Sequence, residues 1–358
     1  MKNNNLVTSS YSPDDVTILL QDLKGKVPVL DTKEREKLNQ SGVHYSEMLP
    51  VEYVPSAEYL KVYENALKSQ GKQTAQAIIN LAYKILSVKP TKNIVLVSLA
   101  RAGTPVGILL KRYLNQYCNC KIAHYTISII RGKGIDIAAM NYILSKHDAK
   151  NIVFVDGWVG KGAINRVLAE AVAKLNIANL SPKLAVLSDP AYETSLYGTR
   201  DDFLIPSACL NSTVSGLISR TVKLKNMTDD EYHGAVYYTE NKEYDLSNAF
   251  LNEIEAYFQD ITPDDTNVPL NTFKGIDEVT KIATEFDIND INKIKPGVGE
   301  TIRVLLRRIP EVVLIKPNAN PKFIEPIIRL AKEKNVPLKE YPLIGYNTCG
   351  IIKDISDL

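Results

Sequence analysis

Residues 152–164 combine an apolar run, a carboxylate and a glycine-rich turn, a combination that could bind a phosphorylated sugar. The apolar run ends at Asp156, whose carboxylate can accept hydrogen bonds from sugar hydroxyls. Gly160 and Gly162 let the backbone approach an anion closely, and a helix that begins after them presents free N–H groups and the positive end of its dipole. An ordinary strand–helix turn, with glycines needed only for tightness, is the alternative.

The elements around this turn alternate between short apolar strands and helices. Strands are predicted at 93–98, 122–130, 152–155 and 184–187, and helices at 107–114, 136–144 and 163–175. This alternation indicates an α/β fold with a parallel sheet covered by helices on both faces. Before it, we expect a short helix from Ser12 and a largely helical stretch over 31–90, with a capped helix beginning near Ser56.

Two further polar segments are candidates for ligand contact. Asp189 follows the strand at 184–187, so it is expected at the same sheet edge as Asp156. The alternative is that Asp189 caps a turn. The segment 211–221 collects small hydroxyl side chains, and Arg220 within it is expected to meet a phosphate or carboxylate. A well-capped turn is the alternative there.

The composition narrows the class of protein. The 358 residues are 45% hydrophobic and 23% charged, as in soluble globular proteins, and the length suffices for two domains. A net charge of +2 is too small for non-specific attraction of the whole surface to nucleic acid or membrane. No apolar run approaches the roughly 18 residues of a membrane span. The polar start and the four scattered cysteines lead us to expect a cytoplasmic protein without membrane contact.

A second, smaller α/β pattern follows the polar stretch 260–271, which is the best linker candidate. We therefore predict a first domain over 1–262 and a second over 270–358. In the second domain, helices are expected at 295–308 and 322–333, and strands at 312–315 and 336–339. The sequence does not predict an oligomeric state.

The second domain begins with a concentration of basic side chains. Lys295, Arg303 and Arg307 lie near a single acid, Glu300. Basic residues beside exposed helix N–H groups are what a phosphate backbone requires, and a glutamate can accept a base amino group. A solvated amphipathic helix is the alternative. The expected RNA-binding residues are Lys295, Gly297, Gly299, Glu300, Arg303 and Arg307.

The turn at 152–164 fits neither a dinucleotide-binding G-x-G-x-x-G nor a Walker A loop, which requires Ser or Thr after Gly-Lys. Its layout of an apolar strand, an acid and a short Gly-rich loop entering a helix resembles the type I phosphoribosyltransferases. The resemblance implies phosphoribosyl diphosphate as ligand, with Mg²⁺ bridging its diphosphate and ribose oxygens. The chain departs from the family pattern at Gly157, where a second acid is usual, and at Lys161-Gly162, where Thr-Gly is usual.

The same resemblance assigns roles to individual residues. Asp156 would contact the ribose diol, Arg101 and Lys161 would neutralise phosphate charge, and Arg131 would close over the leaving group. The substrate-binding residues that it implies are Ala102, Gly103, Thr104, Gly157, Gly160, Gly162 and Ala163.

Gly297, Glu300 and Arg303 match the Gly-x-x-Glu-x-x-Lys/Arg loop, so the second domain resembles the Pelota/L7Ae-type RNA-binding fold, which implies a structured RNA as partner. Motifs spread over the chain carry a broader resemblance, and they lie at 10–15, 128–132, 134–136, 188–190, 211–221, 233–235 and 295–300. On these motifs, the chain resembles the phosphoribosyltransferase-like proteins of tellurite-resistance (Ter) stress operons, which are also labelled StiP-type cysteine proteases.

Three functions from different classes follow. The first is a Mg²⁺-dependent phosphoribosyltransferase coupled to an RNA-binding module in a bacterial stress response. The second is a non-catalytic sensor of phosphoribosyl diphosphate that binds RNA, which would explain Gly157 in place of an acid. The third is a cysteine protease that uses Cys209 as nucleophile and His233 as base. The apolar surroundings of Cys209 in the sequence are more typical of a buried, inert thiol.

Overall fold

The computed structural model describes residues 5–52, 54–89, 92–264 and 273–353. The described residues up to 264 are called the N-terminal region, and 273–353 the C-terminal region. The linker predicted at 260–271 lies outside the described residues from 265 onward. None of the described helices combines the length and the hydropathy that a membrane span requires.

The strands and helices are numbered in chain order. The described strands are β1 (Thr17–Ile18), β2 (Gln21–Asp22), β3 (Val29–Leu30), β4 (Leu49–Pro50), β5 (Val95–Leu99), β6 (Ala123–Ile127), β7 (Ile129–Ile130), β8 (Gly134–Ile135), β9 (Ile152–Trp158), β10 (Leu184–Ser188), β11 (Leu196–Thr199), β12 (Gly234–Ala235), β13 (Ile294–Pro296), β14 (Pro310–Ile315), β15 (Leu338–Glu340) and β16 (Thr348–Ile352). The described α-helices are α1 (Thr32–Gln40), α2 (Ala57–Val88), α3 (Gly103–Tyr117), α4 (Ile137–Leu144), α5 (Ala163–Leu175), α6 (Ser247–Glu255), α7 (Gly275–Glu285), α8 (Val298–Arg307) and α9 (Pro321–Glu333).

A six-stranded parallel sheet forms the centre of the N-terminal region, in the order β1-β6-β5-β9-β10-β11. Strands β5 and β10 are buried along their whole length. This explains their continuous apolar sequences, because an inner parallel strand meets apolar partners on both faces. Since all the strands run in one direction, the loops after β5, β9 and β10 emerge at one edge. The predicted α/β fold class is therefore confirmed.

Helices cover both faces of this sheet. Leu96 of β5 packs in a core that includes residues of α2 and α3, whereas Val95 and Val97 pack in a second core with residues of α4 and α5. Successive side chains of a strand point to opposite faces, which produces this division. Helix α5 has the predicted bounds, and α3 begins earlier than predicted, at Gly103.

The beginning of the chain differs from the prediction. Residues 13–15 form a turn that leads into β1, not a helix. Asp15 at the end of this turn pairs with Arg112 of α3 at 2.6 Å. The stretch 31–90 is not continuously helical, because β4 separates α1 from α2 and pairs with β3. The capped helix expected near Ser56 is α2, in which the Ser56 hydroxyl accepts a hydrogen bond from the Tyr59 N–H.

A four-stranded mixed sheet in the order β13-β16-β14-β15 forms the C-terminal region. The helices expected at 295–308 and 322–333 are α8 and α9, and the strands expected at 312–315 and 336–339 are β14 and β15. Strands β13 and β16 and helix α7 were not predicted. This small α/β unit follows the larger one along the chain.

The two regions share one apolar core. Ile302 of α8 and Leu330 of α9 belong to the same cluster of buried residues as Ile78 of α2. The Gln70 side chain of α2 also donates a hydrogen bond to the Lys322 carbonyl of α9 at 2.9 Å. Burial of apolar surface therefore holds the C-terminal region against the N-terminal region.

Candidate functional site

Asp156 lies at the carboxyl end of β9 and borders a cavity of about 270 Å³. One of its carboxylate oxygens accepts a hydrogen bond from the Gly157 N–H at 2.8 Å. Burial raises the pKa of Asp156 to about 7, while the Gly157 N–H and Arg303 oppose this effect and Glu300 adds to it. Asp156 is thus electrostatically coupled to two side chains of the C-terminal region.

The glycine-rich turn forms the next part of the cavity wall. Gly160, Lys161, Gly162 and Ala163 all line it. Gly162 has a φ of +74°, which favours glycine, and α5 begins there without a side-chain cap. The Glu193 carboxyl group approaches this turn, since a Cβ on Gly162 would lie 2.5 Å from its carbon. An anion bound at the turn would meet Glu193, whose pKa is raised by burial.

The loop after β5 packs directly against β9. A Cβ on Gly103 would lie 2.3 Å from the Val155 carbonyl oxygen, so this close approach requires glycine. Ala102 lines the cavity beside Asp156. The Arg101 guanidinium turns away and donates hydrogen bonds to the Ile218 carbonyl at 3.1 Å and the Asn211 side chain at 3.2 Å. The backbone of residues 101–104, which the resemblance assigns to the substrate, is therefore close to Asp156, but the Arg101 side chain does not line this cavity.

The opposite wall comes from the C-terminal region. Lys295, Glu300 and Arg303 line the cavity across from Asp156. The Arg303 guanidinium stacks on the Trp158 ring at 4.7 Å from its centroid and lies 3.4 Å from a Glu300 oxygen. Residues that the sequence assigned to two separate ligands therefore face one another.

Two predicted cations of the N-terminal region also belong to this cavity. Arg131 lines it from the turn between β7 and β8. The Lys161 ammonium group donates to the carbonyl oxygens of Ile291 at 2.6 Å and Ile294 at 3.3 Å. Burial, together with the neighbouring cations Lys295 and Arg131, lowers the pKa of Lys161 to about 8. Lys161 therefore links the two regions in this conformation and does not point freely at a ligand.

A second cavity of about 720 Å³ adjoins the first and shares Lys295, Glu300 and Arg303 with it. Its carboxylates are Glu52 and Glu300. Its cationic side chains are Arg35, Arg101, Arg220, Lys295, Arg303, Arg307 and Arg308. Three predicted site residues, Arg101, Arg220 and Arg307, thus belong to this second cavity.

Some predicted ligand contacts are not in either cavity. Thr104 is buried, and its hydroxyl accepts a hydrogen bond from Thr126 at 3.1 Å. Gly157 packs against Ala102 and does not line the described wall. Asp189 is fully buried, pairs with Arg200, and accepts a hydrogen bond from the Thr194 N–H at 2.8 Å. The interpretation of Asp189 as a ligand contact was therefore wrong, and the alternative of a turn-stabilising carboxylate is correct.

The helix N-terminus expected to meet RNA is covered by the N-terminal region. Asp202 accepts a hydrogen bond from the Val298 N–H of α8 at 2.8 Å. A Cβ on Gly297 would lie 3.1 Å from Asp202, and one on Gly299 would lie 3.6 Å from Trp158. The prediction of an exposed N–H group was wrong at Val298. Asp202 was missed because β11, which brings it to this sheet edge, was not predicted.

Cys209 and His233 are not brought together. Cys209 is fully buried; burial raises its pKa to about 12 against the lowering effects of Arg307 and Arg303. The His233 ring hydrogen-bonds to the Ser128 hydroxyl at 2.9 Å, and the His233 backbone N–H donates to the Asp136 carboxylate. The described contacts of the two residues have no partner in common. The structure therefore does not assemble the predicted nucleophile and base.

Comparisons with known proteins give matches over both regions. A family profile described as tellurite-like stress resistance cysteine protease StiP matches residues 9–255, and a PELOTA RNA binding domain profile matches 273–354. A curated relative, cysteine protease StiP of Acinetobacter baylyi (strain ATCC 33305 / BD413 / ADP1), is 38% identical over 326 residues, covering 86% of this chain and 84% of the relative.

Among solved structures, a protein of Clostridium difficile 630 provisionally described as a phosphosugar isomerase matches 78% of this chain and 68% of its own. The identity is 14% and the TM-score is 0.24. A similarity at this level carries no argument about fold or ligand.

Proposed function

The chain belongs to the StiP family of tellurite-like stress resistance cysteine proteases and carries a Pelota RNA-binding domain, and from this premise we propose that its Asp156 cavity binds phosphoribosyl diphosphate. The proposed reaction transfers the phosphoribosyl group to a nitrogen nucleophile, with RNA bound by the C-terminal region. The proposal rests on the observation that Asp156, the glycine-rich turn and the cations Arg131, Lys295 and Arg303 line one cavity of about 270 Å³.

The charges of the cavity support a phosphorylated ligand. Arg131, Lys295 and Arg303 are placed to neutralise a diphosphate, and Asp156 offers carboxylate oxygens to ribose hydroxyls. In the transfer, the nucleophile forms a bond to the anomeric carbon while the bond from that carbon to the diphosphate oxygen breaks. Diphosphate leaves with the electron pair, and the proton that the nitrogen loses passes to solvent. The cations stabilise the charge that develops at the leaving group.

The residues fit a Mg²⁺ ion that arrives with the ligand better than a resident one. Within the described ranges, no group of three or more His, Cys, Asp or Glu side chains is placed to hold a metal. Mg²⁺ commonly binds through one or two carboxylates together with substrate phosphates and water. Asp156 and Glu300 are the carboxylates of this cavity that would contact the hydrated ion. The ion would supply further neutralisation of the diphosphate.

We expect Asp156→Asn to weaken the binding of phosphoribosyl diphosphate in the presence of Mg²⁺ by about 10- to 100-fold, because a charge-assisted hydrogen bond contributes about 1.5–3 kcal/mol. Calorimetric titration measures the loss, and release of pyrophosphate in the same samples with candidate bases measures transfer. Asp148→Asn is the matched control, since the Asp148 side chain is 72% exposed at the surface.

The pH dependence provides a second readout of the same site. With a pKa of about 7, Asp156 becomes a carboxylate as the pH rises from 6 to 8. Hydroxyl donors favour the carboxylate, so the ratio of the wild-type affinity to that of Asp156→Asn at the same pH is expected to rise over this range. Binding of phosphoribosyl diphosphate without release of pyrophosphate would favour the non-catalytic sensor over the transferase. An absence of binding at millimolar ligand would contradict both phosphoribosyl functions.

The family description favours a cysteine protease as the second candidate function. Cys209 borders the larger cavity through the 3₁₀ turn Pro206–Cys209, and its carbonyl accepts a hydrogen bond from Arg307. A thiol must be ionised to attack a peptide, and neighbouring cations favour the thiolate. A protease would therefore require a conformation in which Cys209 is accessible and a base approaches it.

The reactivity of the thiols discriminates between these functions. In the native protein at pH 8, we expect iodoacetamide to modify Cys118 and Cys120 at least about 10-fold faster than Cys209, because the first two are partly exposed and Cys209 is buried with a pKa of about 12. Mass spectrometry after timed quenching gives the rates. Rapid modification of Cys209, together with peptide hydrolysis that Cys209→Ala abolishes and Asp156→Asn does not, would favour the protease.

A further inference from the structure

Among the described side chains that line the larger cavity, of about 720 Å³, cations outnumber anions. These side chains comprise seven cations and two carboxylates. Glu52 is engaged with the Ser212 N–H at 2.9 Å and lies 3.9 Å from Arg101. Glu300 lies 3.4 Å from Arg303. The two carboxylates therefore neutralise only a part of the charge around the cavity.

Several guanidinium groups have donors to spare. Arg220 donates to the carbonyl oxygens of Tyr45 at 2.6 Å and Met48 at 2.7 Å, and Arg307 donates to the Cys209 carbonyl at 3.1 Å. The buried Nε atoms of Arg220, Arg303 and Arg307 have no hydrogen-bond partner among the described residues. A buried donor without a partner costs free energy. Because these Nε atoms are not exposed to the cavity, an incoming acceptor would bind the terminal nitrogens of the guanidinium groups, and the Arg303 side chain is 32% exposed.

The arginines also repel one another. Burial, Arg303 and Arg101 together lower the pKa of Arg307 to about 10. Burial, Arg35 and Arg101 likewise lower the pKa of Arg220. A bound polyanion would relieve the repulsion between these guanidinium groups.

The rim of the cavity is apolar. Val51 and Val54 line it while 37% and 44% of their surfaces remain exposed, and Tyr59 lies beside them. A cavity of about 720 Å³ is in the range of sites for drug-sized ligands and is far larger than one phosphate group requires. A ligand that fills it would pair several negative charges with the arginines and would place a less polar part against Val51, Val54 and Tyr59. We propose that this cavity binds a nucleotide that carries at least two linked phosphates.

This site is distinct from the Asp156 cavity and does not depend on the phosphoribosyl proposal. Asp156 and the glycine-rich turn do not line it, whereas Arg220, Arg307 and Arg308 do. The two cavities share the wall of Lys295, Glu300 and Arg303. A nucleotide in this site would therefore contact side chains that also line the Asp156 cavity.

Calorimetric titration of the full chain with adenosine triphosphate and guanosine triphosphate tests the proposal, with adenosine monophosphate, inorganic triphosphate and a single-stranded RNA decamer as comparisons. We expect at least one triphosphate to bind about 10-fold or more tightly than the monophosphate. Arg307→Met is expected to weaken it by about 10-fold, the loss of one charge-assisted hydrogen bond. Arg308→Ala should weaken it less and should fold normally, because Arg308 is exposed.

Control variants and the comparison ligands distinguish the other outcomes of this titration. Arg329→Ala is the matched control, because Arg329 forms a surface pair with Glu333 on α9 and should leave the affinity unchanged. Asp156→Asn should weaken nucleotide binding much less than Arg307→Met does, because Asp156 lines only the smaller cavity, and this difference separates the nucleotide site from the phosphoribosyl site. Equal affinity for triphosphate and monophosphate nucleotides would overturn the proposal. So would equal binding of inorganic triphosphate and nucleotide, or binding of the RNA decamer alone.

Discussion

Replacing Asp202 with alanine is expected to lower the free energy of unfolding by roughly 2–5 kcal/mol and to loosen the C-terminal region. The Asp202 carboxylate accepts hydrogen bonds from the Val298 N–H at 2.8 Å and the Asn347 N–H at 2.7 Å. Each buried donor that loses its partner costs about 1–3 kcal/mol. Both donors belong to the C-terminal region, so the loss weakens its attachment to the N-terminal region.

The only tryptophan of the chain reports this attachment. Trp158 belongs to β9 of the N-terminal region and contacts Arg303 of α8. Urea denaturation followed by its fluorescence gives the free energy of unfolding. A red-shifted emission of native Asp202→Ala would indicate that α8 has moved away. Asp201→Ala is the matched control, because Asp201 is exposed and its side chain meets Gln73 at the surface.

The effect of Asp202 has a defined dependence on pH. Burial raises its pKa in the folded protein to about 7, above the ordinary value of 3.8. Folding therefore takes up a proton between these two values, so the stability falls as the pH rises from about 4 to about 7 and is level above 7. The deficit of Asp202→Ala relative to the wild type should shrink from pH 5 to pH 8. A constant deficit would show that the carboxylate is already ionised at pH 5 in the folded protein.

The central sheet was predictable because each of its inner strands has a recognisable, continuously apolar sequence. Strands such as β5 and β10 are buried on both faces and so consist almost entirely of apolar residues. The position of Asp156 follows from the same logic, because the carboxyl ends of parallel strands meet at one edge. These inferences need only residues that are close together in the sequence.

The direction of the charged side chains was not predictable in this way. Arg101 lies in the expected loop, yet its guanidinium contacts Ile218 and Asn211, more than one hundred residues later. Lys161 lies in the expected turn, yet it binds carbonyl groups of the C-terminal region. Such contacts depend on how the two regions pack against each other. Periodicity within one segment contains no information about that packing.

The same limit explains why residues of two predicted sites line a single cavity in the structure. The sequence assigned Asp156 to a phosphorylated sugar and Arg303 to RNA, as parts of separate domains. In the structure, burial of α8 against the apolar core of the N-terminal region turns Arg303 toward Trp158 and the Asp156 cavity. A ligand in this cavity and an RNA at α8 would therefore compete for, or share, the same cations.

The second large effect is expected for Arg200→Met, which should lower the free energy of unfolding by about 3–5 kcal/mol, the usual cost of breaking a buried ion pair by removing one partner. Arg200 pairs with the fully buried Asp189 and donates to the Thr194 carbonyl at 3.0 Å. Its guanidinium also stacks on the Tyr197 ring at 3.6 Å from the centroid. The substitution leaves the Asp189 carboxylate buried without its counter-ion, and urea denaturation measures the loss.

Two further variants decide whether the uncompensated Asp189 charge causes the loss of stability in Arg200→Met. Lys150→Met removes one partner of the exposed Lys150–Asp148 pair, and a change within about 0.5 kcal/mol is expected there, since surface pairs contribute little. Adding Asp189→Leu to Arg200→Met removes the stranded carboxylate as well, so the double variant should be more stable than Arg200→Met alone. If the double variant is less stable still, the Asp189 hydrogen bonds to the Glu193 and Thr194 N–H groups outweigh the charge. In that event Asp189 holds the 189–194 turn, and with it Glu193 beside Gly162, independently of Arg200.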